Sequence, residues 1–305
     1  MRILIIGFGS IARKHVIAIK KIAPDAKIYA LRSSKNKIID FEDIQSVYDW
    51  QEIPKNIDFV IISNPTSKHF ETIKKAVSLK VPLFIEKPVL ATLNGAQELL
   101  QKIKENRIIT FTACNLRFHP SIVYLKKVLN KKKPLEYNSY SGSYLPEWRP
   151  NQDYRKNYSA IEELGGGVHL DLIHEIDLSY YLLGNPINTQ SYKSKKSDLE
   201  INSKDIAHYV LEYSSTSAFI TLNYYRRDPK RNIELIWDND SWFVNLLDSS
   251  IVDSHNNLLF MDKSFNFLNT YYEQMNYFIQ NISGRKKPMN SFEEGLETLN
   301  IALDE

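Results

Sequence analysis

The chain has 305 residues, and at about 150 residues per domain this length predicts two domains. Hydrophobic residues make up 43% and charged residues 25% of the chain, which is typical of a globular protein and excludes a mainly disordered one. The 39 basic and 36 acidic side chains leave a formal net charge of +3, which is too small to indicate a nucleic acid or an anionic membrane as a partner.

The first 120 residues alternate short apolar runs with longer amphipathic ones, as in a parallel sheet that helices cover on both faces. The predicted strands are Arg2–Ile6, Lys27–Leu31, Asp58–Ser63, Pro82–Glu86 and Ile108–Ala113. The predicted helices run from Ile11 to Ala23, from Ser67 to Leu79 and from Ala91 to Lys104. Because such alternation implies right-handed crossovers, we predict an α/β Rossmann domain with a doubly wound parallel sheet over residues 1–118.

After Pro134 the pattern becomes that of an α+β domain with a mostly antiparallel open sheet. One long helix is predicted from Val168 to Leu183, where Gly184-Asn185-Pro186 ends it. The later predicted elements are the strands Ala207–Tyr213, Ala218–Tyr225, Ile233–Trp237 and Trp242–Leu246 and the helices Leu268–Ile282 and Phe292–Leu303. We assign residues 119–305 to this domain and expect it to bind the substrate. Because its strands are rich in aromatic residues, a bare sheet face would be a large apolar patch, so we also expect a homodimer or homotetramer.

A glycine-rich turn follows the first predicted strand directly and opens the first predicted helix. Its residues are Gly7, Phe8, Gly9, Ser10, Ile11 and Ala12, the Gly-x-Gly-x-x-Gly/Ala arrangement of dinucleotide-binding proteins. Gly7 permits the tight turn, and Gly9 lets the backbone approach a pyrophosphate, to which the helix N-terminus offers unpaired N–H groups. The position between a strand and a helix therefore predicts dinucleotide binding.

The second predicted strand ends without the acidic residue that normally holds the adenosine ribose 2′-hydroxyl. Arg32, Ser33 and Ser34 follow it instead. A guanidinium pairs with two phosphate oxygens at once, so this segment suits a 2′-phosphate. We therefore expect NADP to be preferred over NAD, the alternative being a surface arginine on a loop.

Four further motifs occur along the chain. They are Phe84-Ile85-Glu86-Lys87-Pro88, Gly165-Gly166-Gly167-Val168-His169-Leu170-Asp171-Leu172-Ile173-His174, Ser63-Asn64-Pro65-Thr66-Ser67-Lys68-His69 and Asn115-Leu116-Arg117-Phe118-His119-Pro120. Together they resemble one oxidoreductase superfamily, that of glucose–fructose oxidoreductase, inositol dehydrogenase and MocA. The stretch from Tyr144 to Arg155 resembles members linked to bacterial surface-sugar synthesis. The resemblance implies a nicotinamide-dependent enzyme that oxidises or reduces a carbon of a sugar, cyclitol or nucleotide sugar.

The resemblance also implies a catalytic set of Lys87, Asp171 and His174. Hydride transfer from an alcohol carbon needs one group that takes the hydroxyl proton and another that polarises the carbonyl, so we expect Lys87 and His174 to be the acid/base groups. A lysine at the carboxyl end of a parallel strand points into the crevice where such folds bind ligands. A carboxylate beside the imidazole would fix its tautomer.

The spacing of the acid and the histidine departs from that common in the family. Asp171 and His174 are three residues apart, which puts them on one face of the predicted helix. The commoner spacing is four residues, and here that position holds Glu175. If the motif is aligned on His174 to Asp177 instead, the usual acid position falls on Leu170, so another acid in the role of Asp171 stays open.

Further site residues follow from the same resemblance. Those expected to contact the cofactor, besides the glycine-rich turn and the Arg32 segment, are Asn64, Pro65, His69, Glu86 and Lys87. Those expected to contact the substrate are Arg117, Trp148, Arg149, Tyr154, Asp171 and His174.

Two other functions are compatible with the same motifs. One is a glycosidase of the same fold that uses tightly held NAD to oxidise and then re-reduce its substrate. The other is a non-catalytic dinucleotide sensor or scaffold. The set of Lys87, Asp171 and His174 argues against a sensor, because a sensor does not need proton-transfer residues.

The remaining expectations concern metals and location. His169 and Asp171 lie on different faces of the predicted helix, which does not suit joint ligation with His174, so we expect no metal site. No apolar run approaches the roughly 18 residues of a membrane span, and the apolar stretch after Met1 is too short for a signal peptide. A single cysteine, Cys114, cannot form an internal disulfide. We therefore expect a cytoplasmic protein without a membrane partner.

Overall fold

The computed structural model describes residues 1–34, 41 and 43–304. By their contacts these residues form two units. Unit one consists of Met1–Asn115 and Leu268–Leu296, and unit two of Leu116–Phe267 and Glu297–Glu305. Unit one therefore includes a late segment of the chain, and the division into functional domains at residue 118 stays a prediction.

Strands and helices alternate in the first part of the chain, and a long run of strands then precedes two closing helices. The strands are β1 (Arg2–Ile6), β2 (Lys27–Leu31), β3 (Ile44–Val47), β4 (Phe59–Ile62), β5 (Leu83–Glu86), β6 (Thr110–Ala113), β7 (Glu136–Gly142), β8 (Asn188–Ser194), β9 (Ile206–Glu212), β10 (Ser217–Asn223), β11 (Lys230–Ile236), β12 (Ser241–Asn245), β13 (Ser250–Asp253) and β14 (Leu258–Met261). The α-helices are α1 (Ser10–Ile22), α2 (His69–Ala76), α3 (Ala96–Glu105), α4 (Pro120–Leu129), α5 (Val168–Asp171), α6 (Ile173–Leu183), α7 (Phe267–Ser283) and α8 (Phe292–Leu303).

Unit one is built on a six-stranded sheet in the order β3-β2-β1-β4-β5-β6, and all of its strand pairs are parallel. Strands β4, β5 and β6 are buried at every residue, as in a parallel sheet covered on both faces. Strand β4 is accordingly apolar throughout, whereas β5 ends in Glu86 and β6 contains two buried threonines. The predicted doubly wound Rossmann fold is confirmed. The edge strand β3 was not predicted, because its four residues include two polar ones and only Val47 is buried.

Helix α7 contributes to the core of unit one. The ring of Phe278 is fully buried and lies 5.2 Å from that of Phe59, 5.3 Å from Phe84 and 5.8 Å from Phe111, measured between ring centroids. Each of these three partners lies on a different strand of the parallel sheet. A residue near the end of the chain therefore closes the aromatic core that begins at β4.

Unit two is built on an eight-stranded sheet in the order β14-β13-β12-β11-β7-β10-β9-β8. Every neighbouring pair is antiparallel except β7 with β10, so the predicted mostly antiparallel sheet is confirmed. One face of the sheet is buried, and helix α6 contacts it at β7 and β10. The opposite face exposes 43% of Val210, 42% of Phe219 and 42% of Phe243.

The helix predicted from residue 168 to 183 is interrupted, so the prediction of one continuous helix was wrong. Leu172 has φ −97° and ψ 24°, which ends α5 before α6 begins. The N–H of Glu175 donates to the carbonyl of Leu172, three residues back, where an α-helix would use the fourth. The spacing of Asp171 and His174 spans this break, so the predicted shared face on one helix is not formed. No proline or glycine marks the break in the sequence.

Candidate active site

The glycine-rich turn joins β1 to α1 with φ +85° at Gly7. A Cβ at Gly7 would lie only 2.5 Å from the Cα of Asn64, so no larger residue fits there. Among the residues that the structure describes, none lies within 4 Å of a Cβ built at Gly9, and none caps the N-terminus of α1 with its side chain. These residues therefore leave space beside the first N–H groups of α1, which fits an anionic phosphate of a dinucleotide.

Arg32 directly follows β2 and lies next to this turn. The N–H of Gly7 donates to the carbonyl of Leu31 over 3.1 Å, which ties the turn to the end of β2. The Arg32 guanidinium donates from Nη1 to the Ser46 hydroxyl over 3.2 Å, so it is directed along the edge strand. Ser33 and Ser34 are exposed. Residues 35–40, which follow, lie outside the described residues.

The loop after β4 is held by the buried imidazole of His69. Nε2 of His69 lies 3.0 Å from the carbonyl oxygen of Asn64, and Nδ1 lies 3.1 Å from that of Val89. The pKa of His69 is lowered by burial, which outweighs the two carbonyls and the charge of Glu86. A neutral ring carries one hydrogen and donates to one of the two carbonyls at a time. His69 thus connects the segments that follow β4 and β5.

Glu86 and Lys87 come at the end of β5. Oε1 of Glu86 lies 2.6 Å from Nε2 of His15, a residue of α1 with no exposed surface. The other carboxylate oxygen accepts the backbone N–H of Lys87 over 3.3 Å. Lys87 is half-buried, and its peptide bond to Pro88 is cis. The contact of Glu86 with His15 joins β5 to α1, and sequence reasoning missed it because the two residues are 71 positions apart.

In unit two, two tyrosines surround Asp171. The hydroxyl of Tyr224 donates to Oδ2 of Asp171 over 2.6 Å, and the hydroxyl of Tyr158 also bonds this carboxylate. Burial, and secondly Asp171, raise the pKa of both tyrosines. Burial also lowers the pKa of the nearby His169 to about 4. Asp171 is therefore a buried acceptor that two neutral tyrosines hold in place.

Trp148 and Arg149 pack against the same two tyrosines. The Trp148 ring stands edge-on to Tyr224 with 5.3 Å between centroids, and its indole N–H donates to Ser143 over 2.8 Å. The Arg149 guanidinium lies over the Tyr158 ring, 5.7 Å from its centroid. Three predicted substrate residues, Asp171 included, therefore belong to one connected cluster, which we call the Asp171 cluster.

His174 and the next residue, Glu175, differ in their surroundings. His174 lies in the first turn of α6 and is half-buried. Glu175 is fully buried, and Oε1 lies 2.9 Å from Nε of Arg231 on β11. Burial raises the pKa of Glu175, against the opposing effect of Arg231. Glu175 is thus directed at the sheet.

Two other predicted substrate residues have partners within unit two. Arg117 forms a two-pronged ion pair with Asp177, with Nε–Oδ2 at 2.8 Å and Nη2–Oδ1 at 2.7 Å, and both side chains are buried. The Tyr154 hydroxyl accepts the backbone N–H of Glu200 over 3.2 Å. These contacts account for both residues structurally, and their roles in binding substrate stay predictions.

A parallel-sheet unit with a glycine-rich turn before its first helix, followed by a second unit built on a mostly antiparallel sheet, is the arrangement of a two-domain dinucleotide-binding protein. Residues 1–113 match the family model described as "Oxidoreductase family, NAD-binding Rossmann fold", and residues 136–233 match that described as "Oxidoreductase family, C-terminal alpha/beta domain". The chain belongs to this GFO/IDH/MocA family, which confirms the predicted relationship.

Individual relatives agree with this assignment. The chain is 26% identical to myo-inositol 2-dehydrogenase of Thermotoga maritima over 97% of its own length and 92% of that protein's. Its fold is similar to that of UDP-N-acetylglucosamine 3-dehydrogenase from Acidithiobacillus ferrooxidans, with a TM-score of 0.83 at 20% identity, covering 100% and 96% of the two chains. It is also similar to levoglucosan dehydrogenase in complex with NADH, with a TM-score of 0.86 at 15% identity over 99% and 95%.

Two features are absent from the described residues. No helix there is both long and apolar enough to cross a membrane. Nor does that part of the chain bring three or more His, Cys, Asp or Glu side chains together as a metal ion would require.

Proposed function

We propose that the protein is a nicotinamide-dependent dehydrogenase or reductase that acts on a hydroxyl or keto carbon of a sugar, cyclitol or nucleotide sugar. The observation that carries the proposal is the N-terminus of α1, which no described side chain caps and where Gly9 leaves space, in a chain whose β5 ends at Glu86, directly before Lys87. The relatives are named as dehydrogenases of myo-inositol, UDP-N-acetylglucosamine and levoglucosan, which supports this substrate class.

In the proposed reaction, the bound nicotinamide would accept or give the hydride, and the protein would move the hydroxyl proton. Lys87 and His174 are the acid/base groups. Asp171 is the third member of the set, and the hydroxyl of Tyr224 restrains its carboxylate. Glu86 accepts the backbone N–H of Lys87 and contacts the buried His15, so α1 and β5 together fix the backbone from which Lys87 projects.

We further propose that NADP is preferred over NAD. Arg32 lies beside the glycine-rich turn, and its guanidinium is directed along β3 toward Ser46, at the end of β2 where dinucleotide-binding folds recognise the adenosine ribose. Fluorescence titration with NADPH and NADH tests this. Arg32→Asp should shift the preference toward NADH, whereas Arg107→Asp, an exposed arginine of the same unit, should not. A preference for NADH in the unaltered protein would overturn the proposal.

The test of the activity is the ultraviolet absorbance of reduced nicotinamide formed when NADP or NAD is mixed with inositols, sugars and nucleotide sugars. Net reduction that depends on one substrate supports a dehydrogenase. Cleavage of a glycoside without net reduction would instead identify the NAD-using glycosidase. Cofactor binding with neither reaction would leave the sensor as the function. The cytoplasmic location expected from the sequence stays a prediction.

A further inference from the structure

Arg149 differs from two other arginines of unit two in having no hydrogen-bond acceptor among the residues that the structure describes. It is half-buried, and its Nη1 is buried without a hydrogen-bond partner. Within the described ranges, no carboxylate forms an ion pair with it. By contrast, Arg117 is paired with Asp177, and Arg231 with Glu175. Buried donors, and charged ones above all, are almost always satisfied, so an exception of this kind calls for an explanation.

The position of Arg149 links it to the proposed reaction centre. Its guanidinium lies over the ring of Tyr158, whose hydroxyl bonds Asp171. The preceding residue, Trp148, packs against Tyr224, the second donor to Asp171. A guanidinium that stacks on a ring through its face keeps the N–H groups at its edge available for a planar acceptor. Arg149 is therefore one side chain away from Asp171.

We infer that Arg149 binds an anionic oxygen group of the substrate, a carboxylate or a phosphate, and so selects acidic or phosphorylated sugars over neutral ones. The inference rests on the proposed function, which it extends to the charge of the substrate. A neutral hydroxyl would satisfy one N–H but leave the positive charge without a counterion, whereas a carboxylate or phosphate accepts two N–H groups and balances the charge.

The experiment measures binding by isothermal titration to the protein saturated with its preferred cofactor. The probes are glucose, glucuronate and uridine diphosphate, which supply no anion, a carboxylate and a phosphate respectively. The variants are Arg149→Lys and Arg149→Met. Arg155→Met is the matched control, because Arg155 is exposed and already paired with Asp153 and Glu200.

We expect glucuronate or uridine diphosphate to bind the unaltered protein, and Arg149→Met to weaken that binding roughly 10- to 100-fold. Arg149→Lys should weaken anion binding less, because an ammonium keeps the positive charge but loses the planar pair of N–H donors. Arg155→Met should have no effect. A response to glucuronate alone identifies a sugar acid as the source of the anion, and a response to uridine diphosphate alone identifies a sugar phosphate or nucleotide sugar.

Binding of both anions that is undetectable, or that is unchanged in Arg149→Met, would overturn the inference. Each variant is also titrated with NADPH, because Arg149 lies in unit two and the glycine-rich turn in unit one. If NADPH still binds while the anions do not, the inference about Arg149 fails and the proposed function does not. Thermal unfolding separates binding from folding. Among the described residues, Arg149 has no acceptor that its removal would leave unpaired. Arg149→Met should therefore unfold at the same temperature as the unaltered protein or at a higher one, which a structural role would not produce.

Discussion

Replacement of Arg117 by methionine should strongly destabilise unit two. The change leaves the carboxylate of Asp177, which is 1% exposed, without its two guanidinium hydrogen bonds. Removing one partner of a buried ion pair typically lowers the free energy of unfolding by about 3–5 kcal/mol, because the remaining charge stays buried. At roughly 2–4 °C per kcal/mol for a domain of this size, Tm should fall by roughly 6–20 °C.

The assay is urea unfolding followed by both tryptophan fluorescence and circular dichroism. Two variants complete the comparison. Asp177→Asn keeps an acceptor for Arg117 and should be destabilised less than Arg117→Met. The double variant Arg117→Met with Asp177→Leu removes both charges, so it should recover part of the stability that the single methionine variant loses.

A loss below about 1 kcal/mol in Arg117→Met would refute this reasoning, since that is the range of an exposed ion pair. So would a double variant less stable than Arg117→Met. The same series bears on the predicted contact of Arg117 with substrate. If Arg117 serves only the ion pair, the molecules that remain folded should keep their KM, whereas a rise in KM without loss of stability would indicate substrate binding.

Three further predictions can be checked separately. Burial lowers the pKa of His119 from 6.5 to about 4, so the unfolded chain binds the additional proton. Stability should therefore fall as the pH is lowered from about 6.5 to about 4, by about 3 kcal/mol from this residue, and urea midpoints of His119→Asn should lack this part of the slope. Phe219→Lys on the open sheet face should reduce self-association in light scattering, and an unaltered protein that is monomeric at micromolar concentration would contradict the prediction. Lys87→Met and His174→Ala should each lower turnover by about 10² to 10⁴ with cofactor affinity nearly unchanged. Glu175→Gln should lower turnover much less; the reverse order for His174 and Glu175 would reassign the catalytic residue.

The parallel sheet was more predictable from the sequence than the antiparallel one, for a physical reason. Strands β1 and β2 have the predicted bounds because apolar residues dominate both. Strand β7 lies in the middle of its sheet, yet it was missed because Ser139 and Ser141 occupy buried positions that apolar residues usually fill. These serines face polar partners, since Ser139 lies 3.4 Å from the carboxylate of Glu175 and Ser141 lies 3.4 Å from Arg231. A buried ionic network thus removed the apolar signal.

Some residues of the candidate site were also predictable from the sequence, and others were not. The turn from Gly7 to Ala12 was predictable because its chemistry lies within six consecutive residues. The partners of Asp171 were not, because Tyr224 is 53 residues away and no spacing connects them. The unsatisfied Nη1 of Arg149 is likewise a property of packing, which a sequence does not record.

The position of α7 has a consequence for synthesis of the chain on the ribosome. N-terminal domains commonly fold while the rest of the chain is still being made. Here Phe278 fills the space between Phe59, Phe84 and Phe111, so the aromatic core of the parallel sheet stays open until α7 has emerged. By then all strands of unit two have been translated. The nucleotide-binding unit therefore begins first but cannot complete its core until every strand of unit two has been made. A nascent chain interrupted before α7 would expose three phenylalanine rings to water.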